Sequence, residues 1–143
     1  MNTKQIIAIG GGGFGRETNK GTVERYILAA SGKETPKICF LPQATAEDPA
    51  YIAKFYRIFA QLNAVLSDVS LFGRIARTPS LEDILLDQDI IYVGGGNTKS
   101  MLALWKEWGV DVILRKAYEQ GIVLCGVSAG AICWFEQCIS DSL

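Results

Sequence analysis

The chain has 143 residues, with 14 basic and 15 acidic side chains and no histidine. Histidine is the usual general base for a serine or cysteine nucleophile and the commonest metal ligand near neutral pH, so a self-sufficient Ser-His-Asp, Cys-His or His-metal site is excluded within these residues. With 49% hydrophobic and 20% charged residues, the composition is that of a globular domain, expected to be one unit over residues 1–143.

Residues 4–9 are rich in isoleucine and run into glycines, which predicts a buried strand. A helix is expected over 18–31, with Val23, Tyr26, Ile27 and Ala30 at helical spacing and Gly32 as its stop. Residues 37–42 read as a second strand ended by Pro42. Asp48 and Pro49 open a helix whose apolar face holds Ile52, Phe55, Phe59 and Leu62. A third strand is expected over 65–72. Ser80 then caps a short helix, with Asp83 in a capping-box position. Residues 89–93 form a fourth strand ending in Gly94-Gly95-Gly96. Helical segments fill 98–120 with a break near Gly109, residues 122–127 form a fifth strand, and a helix runs from Ala129 toward Gln137. Strands alternating with helices imply βαβ units and a parallel sheet covered on both faces.

No window of 18 apolar residues exists, so no transmembrane helix is expected. The first apolar run is too short for a signal-peptide core, and the expected location is cytoplasmic. No basic stretch suggests nucleic acid. Cys39, Cys125, Cys133 and Cys138 have no metal-site spacing and are expected to be free thiols. Cys125, on the fifth strand, should lie in the core. Trp105 and Trp108 are read as packing residues, as are Trp134 and Phe135. Arg16 and Glu17 are read as loop residues in solvent.

Three glycine-rich turns carry the candidate chemistry. Gly10-Gly11-Gly12-Gly13-Phe14-Gly15 satisfies GxGxxG. A dinucleotide fingerprint also wants an acid about 20 residues on, at the end of the second strand. That strand ends Phe40-Leu41-Pro42-Gln43-Ala44, with no acid, so no dinucleotide or other cofactor is expected. The loop, through Gly12 and Gly13, reads instead as a wall of a substrate pocket. Gly126-Val127-Ser128-Ala129-Gly130 matches GxSxG between a strand and a helix, where a strained turn projects the serine hydroxyl. The Ala129 N–H there points where an oxyanion would form. The Gly94-Gly95-Gly96 loop ends at the same sheet edge, and Gly96 or Gly95 can supply a second donor.

Val93-Gly94-Gly95-Gly96-Asn97-Thr98, Gly126-Val127-Ser128-Ala129-Gly130-Ala131 and Phe40-Leu41-Pro42-Gln43-Ala44 together resemble the peptidase E (aspartyl dipeptidase) family of serine peptidases, from about Lys4 onward. The resemblance implies an α/β three-layer sandwich with a mostly parallel central sheet, similar to class I glutamine amidotransferases and flavodoxin-like folds. It implies Ser128 as nucleophile and Gly96 and Ala129 as the oxyanion hole. Gly12, Gly13, Gly95 and Asn97 would line the substrate pocket. Members of that family hydrolyse dipeptides with N-terminal aspartate, and relatives cut the β-aspartyl-arginine bonds of cyanophycin. The family's catalytic histidine lies downstream of the nucleophile helix, on a segment these residues lack, so the chain resembles the N-terminal two-thirds of a member. Asp141, in Ser140-Asp141-Ser142, corresponds to the triad acid. The implied partners are a small peptide substrate and either further copies of the chain or a complementary C-terminal polypeptide. The other reading is a non-catalytic relative or fragment that binds small peptides or a partner chain.

Overall fold

The computed structural model describes residues 3–14, 21–74 and 79–142. In chain order the elements are β1 (Ile6–Ile9), α1 (Thr22–Ala30), β2 (Lys37–Leu41), a 3-10 turn (Gln43–Thr45), α2 (Pro49–Phe59), β3 (Val65–Asp68), α3 (Leu81–Leu86), β4 (Ile90–Val93), α4 (Thr98–Trp108), α5 (Val110–Glu119), β5 (Val123–Val127) and α6 (Ala129–Ile132). The five strands form one parallel sheet in the order β1-β5-β4-β2-β3. It is the expected three-layer α/β fold.

Strand side chains alternate between two cores. On one face Ile38, Phe40, Ile90, Tyr92, Val123 and Cys125 meet Ile27 of α1 and Phe55 and Phe59 of α2. On the other, Cys39, Leu41, Ile91, Val93 and Leu124 meet Leu85 of α3, Met101 and Trp105 of α4, and Ile113 and Leu114 of α5. With both faces covered, β4 and β5 are buried at every position. That is why they read as unbroken apolar runs.

Helix boundaries follow local chemistry. Asp48 accepts from the Ala50 N–H at the start of α2, with Pro49 inside the first turn. The capping box forms at α3, where the shorter Asp83 carboxylate still reaches the Ser80 N–H at 3.3 Å. Gly109, at φ 70°, ends α4 and starts α5. The strand expected over 65–72 stops at Asp68. Beyond it the Leu71 and Phe72 N–H groups donate to the Glu47 carboxylate and not to a neighbouring strand. The helix expected from 129 toward 137 ends at Ile132, where the Phe135 N–H turns back to the Ile132 carbonyl at 3.1 Å. The helix expected over 18–31 begins at Thr22, and its first residues lie outside those described, as do Arg16 and Glu17.

Glu47 belongs to a strained corner. Ala46 and Glu47 have φ of 54° and 62°, which few non-glycine residues adopt. Buried Gln43 holds the corner. Its amide donates to Val69 O at 2.7 Å and to Glu47 at 2.9 Å, and its carbonyl accepts from the Trp105 indole at 3.1 Å. Trp105 is therefore a packing residue, as expected, whereas Trp108 is 38% exposed.

All four cysteines are free. Burial pushes the Cys39 and Cys133 thiols up to about 12, and the fully buried Cys125 higher still. Only Cys138 is exposed. Because the thiolate is the reactive species, Ellman's reagent at about pH 8 is expected to titrate one thiol in the folded protein and every thiol in guanidinium. Fast reaction of a second thiol would contradict the packing of α6.

Candidate active site

Ser128 closes β5 and opens α6 with φ 54° and ψ −115°, and it is exposed. This conformation costs on the order of 1–3 kcal/mol and needs a rigid frame. The frame is built from omitted side chains. A Cβ on Gly126 would lie 2.2 Å from Gly130 O, and one on Gly130 would lie 2.0 Å from Val93 O. The turn thus packs directly on the end of β4. The Ser128 N–H donates to Ile9 O at 3.1 Å, and its carbonyl accepts from Ala131 and Ile132 at 2.8 and 3.0 Å. Both backbone groups of the serine are held, while its Oγ makes no hydrogen bond among the described residues.

The Gly94–Gly96 loop sits against this turn. A Cβ on Gly95 would touch Ser128 Cβ at 3.3 Å. Three of the loop's four consecutive N–H groups have internal acceptors. Gly94 donates to Leu41 O at 3.1 Å, Gly95 to the Tyr51 hydroxyl at 3.2 Å and Asn97 to Ala44 O at 2.8 Å. The Gly96 N–H is the one left without an acceptor among the described residues. Gly96 has φ 141°, and a Cβ there would lie 2.3 Å from Ala44 O, so only glycine fits. The Ala129 N–H, in the first turn of α6, is likewise uncommitted. Of the two sequence candidates for the second donor, Gly96 is free and Gly95 is occupied.

A hollow of about 220 Å³ joins these groups, lined among others by Gly96, Ser128, Ala129 and Asp141. The segment after α6 folds back over α4, where the Thr98 N–H donates to Ser142 Oγ at 2.9 Å. This contact brings Asp141 to the cleft. The expected pocket residues are spread more widely. Gly12 and Gly13 sit at the carboxyl end of β1, with Gly13 against Val127. Asn97 uses its Oδ1 to cap α4 through the Ser100 N–H at 2.8 Å and lines a neighbouring hollow with Ala44 and Phe72. No group of three or more His, Cys, Asp or Glu among the described residues is placed to hold a metal, and no described helix is long and apolar enough to cross a membrane.

Sequence reading missed Tyr51. It looks like one more apolar position of α2, yet its ring fills the space above Gly94 and its oxygen takes the Gly95 N–H. Burial holds its phenol above the ordinary range, with the Gly95 N–H pulling the other way. Phe14, 2% exposed, stacks on it at 5.3 Å. The first glycine loop therefore delivers a buried aromatic that supports the second. Tyr51→Phe is expected to cost about 1 kcal/mol and to speed amide exchange at Gly95 while Asn97 stays protected. Unchanged exchange at Gly95 would contradict the hydrogen bond.

Fold and turn define an α/β protein with an exposed serine on a strained strand-to-helix elbow, beside two backbone N–H groups that have no acceptor among the described residues. The chain belongs to Peptidase family S51, whose profile matches residues 6–143. It is 51% identical over 141 residues to the uncharacterized peptidase YgaJ of Bacillus subtilis (strain 168), covering 97% of this chain and 60% of that one. Its fold is similar to a 1.5 Å crystal structure from Listeria monocytogenes EGD-e that bears a provisional peptidase E assignment. The TM-score is 0.62 at 23% identity, over 89% of this chain and 58% of that one. The chain thus spans about three-fifths of the length of these relatives.

Proposed function

We propose that these residues form the nucleophile-bearing part of a serine peptidase of peptidase E type, acting on small aspartyl peptides. The observation that carries this reading is the pairing of Ser128, strained and exposed, with the free N–H groups of Gly96 and Ala129. Family membership and the peptidase names of both relatives support it.

In the proposed reaction Ser128 Oγ bonds to the scissile carbonyl carbon. The carbonyl π pair moves to oxygen, where the Gly96 and Ala129 N–H groups stabilise the negative charge. A base takes the hydroxyl proton and returns it to the leaving amine as the C–N bond breaks. Water then hydrolyses the acyl ester by the same route. A serine without its base is a poor nucleophile. Since the 143 residues hold no histidine, the base comes from polypeptide outside them, and Asp141 orients it. The aspartyl preference rests on the resemblance alone.

A fluorophosphonate probe tests the reading. Ser128 is expected to label slowly in this chain alone and faster when the rest of a family member is supplied, with Ser128→Ala unlabelled. No labelling in either case would sink it. The lack of a base favours a second reading, a peptide-binding relative without catalysis. Aspartyl-dipeptide binding by calorimetry, with no Ser128 labelling in the completed protein, would select it.

A further inference from the structure

The two edges of the sheet are built differently. β3, at one edge, reads Val65-Leu66-Ser67-Asp68, and Asp68 accepts from the Tyr56 hydroxyl at 2.6 Å. β1, at the other, reads Ile6-Ile7-Ala8-Ile9 and is apolar throughout. Edge strands of soluble proteins are blunted by charge, proline or bulges. An unbroken apolar run belongs to a strand inside a parallel sheet, covered on both faces. β1 is an interior strand by composition and an edge strand by position.

Burial repeats the mismatch. Ile7 and Ile9, which pack against the core that contains Phe14, and Ile6, which packs against the other core, are each only partly buried, and Ala8 is exposed. Gln5 O and Ile9 O accept from Leu124 and Ser128 of the neighbouring strand. The alternation of a parallel ladder therefore turns the N–H and C=O of Ile6 and Ala8 outward, away from β5.

A hollow of about 390 Å³ lies beside this open side, between α4, α5 and the segment after α6. Ile6, Leu124, Trp105 and Trp134 line its inner side, and the charged Asp111, Arg115 and Glu136 line it as well. The Trp134 indole N–H is buried and has no acceptor among the described residues. Buried donors are almost always paired, so an unpaired one marks a missing acceptor.

We propose that this surface docks an extended apolar segment of polypeptide, corresponding to the part of the family's length that these residues do not span. The segment adds as a strand along β1, places an apolar side chain in the hollow and offers a carbonyl to Trp134. The relatives supply the occupant: some two-fifths of their length lies outside the part that this chain matches. The polar edge at β3 is the poorer host. Neighbouring strands are spaced about 4.8 Å apart, so an added strand lies roughly 10 Å from β5, whose end is Ser128. The docked segment is thus placed to reach the cleft.

The test mixes this protein with the separately produced remainder of YgaJ. Alone, the Ile6 and Ala8 amides exchange fast. On mixing they should slow by about 100-fold, with the β3 amides unchanged, a 1:1 complex in sedimentation and a shifted Trp134 indole N–H resonance. Ala8→Pro removes an outward N–H, leaves the bonds to β5 and should abolish the complex. If that variant folds poorly, Trp134→Phe serves instead and should weaken binding by about tenfold. Unprotected Ile6 and Ala8 in the mixture, or protection at β3 instead, overturns the proposal. So does a dimer of the chain alone that Ala8→Pro dissolves, because the occupant is then a second copy. The docking stands apart from the serine reading: a complex that protects β1 but leaves Ser128 unlabelled keeps the first and removes the second.

Discussion

Gly130→Ala is expected to be the most damaging single substitution. Its Cβ would sit 2.0 Å from Val93 O and 2.6 Å from Val93 C, against backbone of a fully buried strand. A flexible side chain could swing away from such a contact, but β4 is held between β5 and β2. Relief would require parting the fifth strand from the fourth. The expected loss is about 4 kcal/mol or more, a large share of the 5–15 kcal/mol that holds a typical domain together. Urea denaturation reads it as a lowered midpoint, or as failure to fold. Gly126→Ala should behave alike, with its Cβ 2.2 Å from Gly130 O. A loss below about 1 kcal/mol at both positions would mean that the elbow does not pack on β4 as described.

The second large effect concerns Ser128, where two substitutions separate strain from chemistry. Ser128→Ala keeps a Cβ at φ 54° and ψ −115°, so stability should stay within about 0.5 kcal/mol while labelling by the probe is lost. Ser128→Gly removes the Cβ. Relief of strain is worth about 1–3 kcal/mol, against roughly 0.5–1 kcal/mol for the added freedom of the unfolded chain. The glycine variant should therefore be more stable than the parent by about 1 kcal/mol. A gain of stability on removing a functional side chain is the expected mark of a site where strain serves function. If Ser128→Gly is destabilised, the turn is not strained and the elbow loses its physical basis.

Much of this was legible in the sequence because it depends on local pattern. Apolar runs ending in glycine located β1, β4 and β5. The order strand, GxSxG, helix located the elbow, since only small residues permit so tight a turn. What was not legible depends on contacts between distant residues. The third strand reads too long because Val69 and Leu71 are apolar, and nothing nearby shows that Glu47 captures the Leu71 and Phe72 N–H groups. The role of Tyr51 depends on Gly95, 44 positions away. Whether Gly95 or Gly96 carried the free N–H was open for the same reason, since the answer lies in what Tyr51 occupies. The place of β1 at an edge could not be read from its own residues, which argue for the interior.

Val93 O is the nearest backbone neighbour of Gly130 and also abuts Gly126 at 2.6 Å, measured from the position a Cβ would take. The same strand end continues directly into Gly94–Gly96. One peptide unit is therefore the common footing of the serine turn and of the loop that faces it. A displacement of this strand end would carry both halves of the cleft with it. The spacing between them is set by backbone touching backbone together with the Tyr51 hydroxyl on Gly95, so side-chain substitutions that spare these contacts can alter what fits in the cleft without disturbing the distance across it.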